Sequence, residues 1–209
     1  IYDYVRIDHF RGLSAYYTID YGSTTARDGR WVKGPGKALI KALKEHVGSN
    51  IIAEDLGYMD DDVKDLLAYS AYPGMGVLEF AFDSRDSNAN DNIPYNLKKK
   101  QIAYVGTHDN QTVMGWIKEL SPDALGFCKE YIRYREGDAF NWAMIRELMA
   151  TVCDTAIVQA QDLLGLDENA RMNTPSTVGR NWQWMAEESS FTDEIKEKLK
   201  EMSHTYGRA

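Results

Sequence analysis

The sequence predicts an α/β fold built on a parallel sheet with crossover helices. Five short apolar runs, each bounded by turn residues, alternate with segments of helical period. The runs lie at residues 2–7, 50–53, 76–82, 102–105 and 155–160. The connections between them are long enough for the crossover helices that parallel strands require. Polar residues gather where four of the runs end, the end at which ligands bind in a β/α barrel or a doubly wound sheet.

The first run is followed by a long loop and then a helix. Glycine-containing turns at residues 22–23, 28–29 and 34–36 indicate the loop. Apolar residues then recur at helical spacing, and Gly48 ends the helix: Leu39, Ile40, Leu43 and Val47.

The middle of the chain repeats this order. Residues 50–53 are too few for a helix and indicate a strand, and Asp60 or Asp61 is a suitable N-cap for the helix that follows. The run at 76–82 is β-like in composition and leads into a polar loop at 83–92.

The second half of the chain supplies two more strands and three helical segments. Residues 102–105 predict the fourth strand, and Ser121-Pro122-Asp123 predicts a helix start. An apolar stripe from Ala139 to Met149 predicts another helix, residues 155–160 predict the fifth strand, and a final helix follows Thr192.

Composition excludes several classes of protein. The formal net charge of −8 argues against nucleic acid or an anionic membrane as a partner. No apolar stretch is long enough to span a bilayer, so we expect a soluble, cytoplasmic protein. Cys128 and Cys153 lack the spacing of a zinc or disulfide framework, and we expect both to be reduced and buried.

The polar residues at the strand ends form the candidate site. They are the pairs Asp8-His9, Glu54-Asp55, His108-Asp109 and Gln161-Asp162. Each pair also has a structural explanation, as an ion pair with Arg6, as helix-capping charge or as a turn that satisfies its own backbone. Carboxylates converging from three strands would repel and shift one another's pKa values, and that cost is tolerated mainly where it is used. The set therefore favours a catalytic site.

Three acids with an arginine and a histidine suit retaining glycoside transfer. One carboxylate acts as nucleophile, a second protonates the leaving oxygen, and a third binds sugar hydroxyls. A metal site is the competing interpretation. We expect it to fail because the neighbouring side chains of His9 and Asp8, and of His108 and Asp109, should diverge in extended segments.

The chain resembles the 4-α-glucanotransferases of glycoside hydrolase family 77, also called amylomaltases, from residue 2 to about residue 186. The stretches that carry the resemblance are VRIDHFRG, GRWVKGPG, NIIAEDLG, GTHDNQT and QDLLGLDENARMNTPSTVGRNWQW. It implies a (β/α)₈ barrel enzyme that moves α-1,4-glucan segments between maltooligosaccharides without a cofactor or metal. It also implies that Asp8 is the nucleophile, Glu54 the general acid/base and Asp109 the transition-state stabiliser. Arg6 and His108 would be the flanking residues that hold the nucleophile and a sugar hydroxyl.

Two positions depart from the family's usual pattern. Ser176 stands where the family usually has glycine, which changes the demands on that turn. Glu79 stands where glutamine is frequent and adds negative charge near the barrel.

The resemblance places VRIDHF at the fourth barrel strand. We therefore expect residues 1–209 to be the C-terminal portion of the catalytic barrel, strands four to eight, with no separate second domain. A whole barrel takes about 250 residues. Such a piece would expose unpaired strand edges, so we expect it to be inactive alone and either to self-associate through the open edges or to hide them by rearrangement.

Aromatic residues in the first long loop suggest contacts with sugar rings. They are Tyr16, Tyr17, Tyr21 and Trp31, of which we select Tyr16 and Trp31 as substrate contacts. We expect the other four tryptophans, at 116, 142, 182 and 184, to be packing residues. Two alternatives to the transferase remain: an α-amylase-type hydrolase, and a glucan-binding piece without catalytic activity.

Overall fold

The computed structural model describes residues 2–83 and 89–208. The chain divides into two compact units, Ile1–Met75 and Gly76–Ala209. Residues 84–88 of the predicted polar loop lie outside the described residues. In the described ranges no helix is both long and apolar enough to cross a membrane.

The first unit contains a parallel strand pair, a hairpin and two helices. Its strands are β1 (Val5–Ile7), β2 (Ala15–Thr18), β3 (Arg30–Lys33) and β4 (Ile51–Ala53), and its helices are α1 (Gly36–His46) and α2 (Asp61–Ser70). Strand β1 pairs with β4 in parallel, with Val5 opposite Ile51 and Ile7 opposite Ala53. Asp60 is the N-cap of α2, since its carboxylate accepts from the Val63 N–H at 3.0 Å.

The hairpin corrects the prediction of a long loop. Strands β2 and β3 pair antiparallel, with Tyr17 opposite Trp31 and Tyr16 opposite Val32. The short 3₁₀ turn Ala26–Asp28 lies in their connection. Two aromatic residues side by side in β2 fit a ribbon that places one on each face.

The remaining elements belong to the second unit, except that β5 begins at Met75, the last residue of the first unit. Strands β5 (Met75–Val77), β6 (Ile102–Tyr104) and β7 (Thr155–Ile157) form a sheet in that order, and β6 pairs with β7 in parallel. The helices are α3 (Leu78–Phe82), α4 (Ala89–Asn92), α5 (Val113–Glu119), α6 (Pro122–Tyr131), α7 (Phe140–Met149), α8 (Ala160–Leu163) and α9 (Asp193–Thr205). Ser121 and Thr192 cap α6 and α9, as the sequence predicts.

One predicted strand is wrong over most of its length. Only Met75–Val77 is extended, and residues 78–82 form the short helix α3. The backbone N–H of Glu79 nevertheless donates to the Val105 carbonyl at 3.0 Å, so the chain leaves the sheet directly after Val77. Helix α3 packs Leu78 and Phe82 into the core.

Each unit has its own apolar core. The first is built from Phe10, Ile40, Ile51, Ala53, Val63, Leu66 and Tyr72. The second surrounds α7, whose Met144, Ile145 and Leu148 are fully buried. Cys128 and Cys153 are free and buried in it, as predicted, and burial raises the pKa of the Cys128 thiol to about 12.

Candidate active site

Asp8 lies immediately after β1, where the chain makes a sharp turn. His9 adopts a left-handed conformation (φ 50°, ψ 53°), and Phe10 begins a 3₁₀ turn with its side chain completely buried. The buried Phe10 anchors the turn while the Asp8 side chain remains 73% exposed. The Asp8 carboxylate is thus presented to solvent from a fixed backbone.

Arg6 holds the Asp8 carboxylate. Its Nη1 lies 2.9 Å from Asp8 Oδ1, and its Nε contacts Met75 Sδ at 3.4 Å. Within the described residues, Arg6 is the only group that pairs with the Asp8 side chain. The second oxygen of Asp8, Oδ2, is therefore outside this ion pair.

Glu54 follows β4 and is held by main-chain groups. Its Oε2 accepts from the His9 N–H at 2.7 Å and its Oε1 from the Leu56 N–H at 2.8 Å. The strand ladder continues past the strands themselves, since the Glu54 N–H donates to the Ile7 carbonyl at 2.9 Å. Asp8 and Glu54 therefore directly follow Ile7 and Ala53, which are paired across the two strands. Neighbouring strands in a sheet lie about 5 Å apart.

The neighbouring Asp55 has a structural role. Its Oδ1 accepts from the Met75 N–H at 2.7 Å, and its carboxylate packs so closely on Gly74 that no Cβ fits there. Of the two adjacent acids, Glu54 is the one that remains near Asp8.

His108 and Asp109 lie in the second unit, in the turn after β6. Asp109 Oδ1 accepts from the Asn173 side-chain amide at 2.6 Å, and Asp109 Oδ2 lies 3.4 Å from His108 Nε2. The expected divergence of these two side chains is wrong, because residues 108–109 form a turn and not an extended segment. In the described part of the chain, no group of three histidine, cysteine or acidic side chains is placed to hold a metal ion.

The loop at residues 171–182 completes this second cluster. Arg171 Nη2 donates to the Asp109 carbonyl at 2.6 Å, and the Asn173 N–H donates to the His108 carbonyl at 3.1 Å. Both residues belong to a stretch quoted above for its resemblance, but no local pattern in that stretch predicts their contacts.

Trp182 is exposed, which corrects the expectation that it is a packing residue. Its ring lies 4.9 Å from the His108 ring between centroids, and 61% of the residue is accessible. Its backbone is left-handed (φ 61°), a conformation that costs a bulky residue energy and is found mainly at functional sites. Trp116, in contrast, is buried as predicted.

Tyr16 and Trp31 lie on opposite faces of the hairpin. Tyr17 faces Trp31 across the ribbon, with ring centroids 5.3 Å apart, whereas Tyr16 faces Val32. The two predicted substrate contacts therefore do not line one surface. Trp31 borders a cavity of about 660 Å³, together with Lys33, Lys37 and Asp60 among others.

Arg11 fixes Trp31. Its guanidinium carbon lies 4.4 Å from the Trp31 ring centroid and 5.5 Å from that of Tyr58. The same guanidinium forms an ion pair with Asp60 at 2.9 Å. Trp31 is thus tied to the start of α2 and is still 55% exposed.

Glu79 and Asp162 are buried acids, each 1% exposed. Asp162, one of the strand-end residues of the candidate site, is therefore shielded from solvent. Burial raises the pKa of Asp162 to about 6, and burial followed by the charge of Asp162 raises the pKa of Glu79 well above its usual value.

The sequence is similar to known glucan-transferring enzymes. The family model described as 4-alpha-glucanotransferase matches residues 1–190. The 4-alpha-glucanotransferase of Clostridium butyricum is 41% identical over 100% of this chain and 43% of its own length, and that of Streptococcus pneumoniae is 45% identical over 100% and 41%. The chain thus spans about two fifths of the length of these relatives.

A solved structure gives the same result. An amylomaltase from Streptococcus agalactiae, in complex with acarbose, superposes with a TM-score of 0.94 at 41% identity, over 100% of this chain and 42% of its own. The mixed α/β fold predicted from the sequence agrees with this match. Because the family model covers most of its residues, this chain belongs to the 4-alpha-glucanotransferase family of glycoside hydrolases.

Proposed function

We propose that this chain is the C-terminal portion of the (β/α)₈ catalytic barrel of a 4-α-glucanotransferase, comprising strands four to eight. The protein would transfer α-1,4-glucan segments between maltooligosaccharides by a retaining double displacement. The observation that carries the proposal is the pairing of Asp8 and Glu54 at the ends of two registered parallel strands, with Arg6 on the first carboxylate. The names of the relatives support the choice of glucan as substrate.

In the first half-reaction, Asp8 attacks the anomeric carbon of the donor glucan. Its Oδ2 is the free oxygen, since Oδ1 is paired with Arg6. The bond from the anomeric carbon to the bridging oxygen breaks, and Glu54 gives its proton to that oxygen. The product is a β-linked glycosyl ester on Asp8 and a shortened glucan that departs.

In the second half-reaction, an acceptor hydroxyl gives its proton to Glu54 and attacks the same anomeric carbon. The ester bond to Asp8 breaks, so the carboxylate is regenerated and the α linkage is restored. Arg6 faces the carboxylate in its charged state and stabilises it as leaving group.

Asp109 and its neighbours would bind sugar hydroxyls. Asn173 and His108 hold its two oxygens at 2.6 and 3.4 Å, which orients the carboxylate before substrate arrives. Trp182 stacked beside His108 offers an aromatic face to a pyranose ring, and Trp31 offers another on the hairpin.

The test is a maltotriose assay with chromatographic separation of products, on the full-length protein that carries this chain. The wild type should produce a ladder of longer maltooligosaccharides and glucose. Asp8→Asn should lower kcat by more than about a thousandfold, because the nucleophile is removed. The same change at the exposed Asp3 is the matched control and should leave the ladder intact.

Two results would contradict the proposal. Release of glucose and maltose without longer products would indicate a hydrolase. Maltooligosaccharide binding with no turnover would indicate a binding protein.

A further inference from the structure

Glu79 is a buried acid without a normal partner. It is 1% exposed, and among the described residues neither side-chain oxygen has a hydrogen bond of acceptable geometry. An ionised carboxylate in that position would be strongly destabilised by the loss of its hydration. Glu79 therefore needs a proton, and its O–H needs an acceptor.

Two other unsatisfied polar atoms are buried in the same unit. They are Asp162 Oδ2 and Gln159 Nε2. The other Asp162 oxygen accepts from the Val113 N–H at 2.8 Å, at the start of α5, so the orientation of this carboxylate is fixed. The negative charge of Asp162 raises the pKa of Glu79. The side-chain amide of Gln159 lowers the pKa of Asp162.

The charged groups around Glu79 do not offset the cost of burying its ionised carboxylate. Asp162 and Glu119 raise its pKa by their negative charge, and Arg171 and the amide of Asn110 lower it by less than burial raises it. Arg171 is also committed elsewhere, since its Nη2 donates to the Asp109 carbonyl and its Nε to the Asn173 carbonyl at 2.9 Å. The Arg171 guanidinium is therefore shared between Glu79 and these main-chain carbonyls.

Glu79 supports the turn that carries Asp109. A Cβ on Gly106 would lie 2.9 Å from Glu79 Oε1 and 3.1 Å from Asn110 Cβ, so the carboxyl group packs directly beneath this turn. Asn110 in turn accepts from the Thr107 N–H at 2.9 Å and closes the turn around residues 107–110. The shape and charge of Glu79 therefore act on the backbone that places Asp109.

We propose that Glu79 is held protonated beneath the turn that carries Asp109, and that in this state it is a positioning residue for that turn. The burial of the carboxyl group and its packing against Gly106 carry the inference. The catalytic part of this inference rests on the proposed function, whereas the protonation does not.

Infrared difference spectroscopy tests the proton directly. The spectrum of the full-length wild type minus that of Glu79→Gln at neutral pH should contain the C=O band of a protonated carboxylic acid. The same substitution at the exposed Glu136 is the control for band assignment. If Glu79→Gln removes only carboxylate bands, Glu79 is ionised and the proposal is wrong.

Kinetics tests the positioning role. The Glu79→Gln variant keeps the size of the side chain and a hydrogen-bond donor beneath the turn, whereas Glu79→Leu removes every polar atom there. We expect Glu79→Leu to lower kcat at least tenfold with little change in KM, and Glu79→Gln to restore most of that loss. Equal kcat values for the two folded variants would overturn the positioning role. If Glu79→Gln loses the acid band but the wild type produces no ladder of maltooligosaccharides, only the proposed function is refuted.

Discussion

The hydrogen bond from Asn173 to Asp109 offers a sharp test of the second cluster. Asn173→Ala removes a 2.6 Å contact to Asp109 Oδ1 and leaves the main-chain bond from Asn173 to the His108 carbonyl in place. The loop should therefore stay attached while the carboxylate loses one of its two side-chain partners.

The expected magnitude follows from the type of bond. A hydrogen bond to a charged group contributes about 1.5–3 kcal/mol. If that contribution is used in the transition state, kcat should fall by roughly 10- to 150-fold. Asn173→Asp should be worse still, since a second carboxylate would then face Asp109.

The assay is the rate of glucose release from maltotriose, with thermal unfolding measured in parallel. The matched control is Asn169→Ala, which removes a 3.1 Å bond to Asp167 at the exposed surface of the same unit and should leave kcat unchanged. A loss of less than twofold for Asn173→Ala would refute the argument that a fixed Asp109 carboxylate contributes to the reaction.

Three further outcomes are expected. Trp182→Ala should raise KM for maltotriose several-fold and change kcat little, since the exposed ring offers a binding face; a fall in kcat alone would argue against that role. Ser176→Gly should raise the free energy of unfolding in urea by about 0.5 kcal/mol. The φ of 61° costs serine about 1–2 kcal/mol, whereas glycine there loses about 0.5–1 kcal/mol in backbone entropy on folding. A destabilised variant would contradict this reasoning. Burial raises the pKa of Asp162 from 3.8 to about 6, so the folded state loses up to about 3 kcal/mol as the pH rises through that range. Asp162→Asn should match the wild type in unfolding free energy near pH 4 and exceed it near pH 7.5, and an equal difference at both pH values would count against the shift.

The local sequence was sufficient to predict which polar residues lie at the ends of the strands. Asp8 and Glu54 each follow an apolar run closely, and parallel strands bring such residues to one edge of a sheet. The helix caps at Asp60 and Ser121 were also predictable, because an N-cap is chosen by its own side chain.

Longer-range contacts were not predictable in this way. Trp182 meets His108 across 74 residues, and no periodicity encodes that contact. The segment 78–82 has strand-like composition, but the hydrogen bond of Glu79 to Val105 and the burial of Leu78 and Phe82 favour a helical turn there. The hairpin was missed because neither β2 (AYYT) nor β3 (RWVK) alternates buried and exposed residues, so the period of two that indicates a strand is absent.

The Asp8 and Glu54 pair is positioned by main-chain pairing, and this has a consequence for evolution and engineering. Their spacing follows from strand register and from N–H groups of residues 9 and 56, all of which any amino acid except proline supplies. Under the proposed function, substitutions in the surrounding loops can therefore alter which sugars are accepted while the pair of Asp8 and Glu54 keeps its geometry. A single-residue insertion in β1 or β4, in contrast, would turn one carboxylate to the opposite face of the sheet and abolish the reaction.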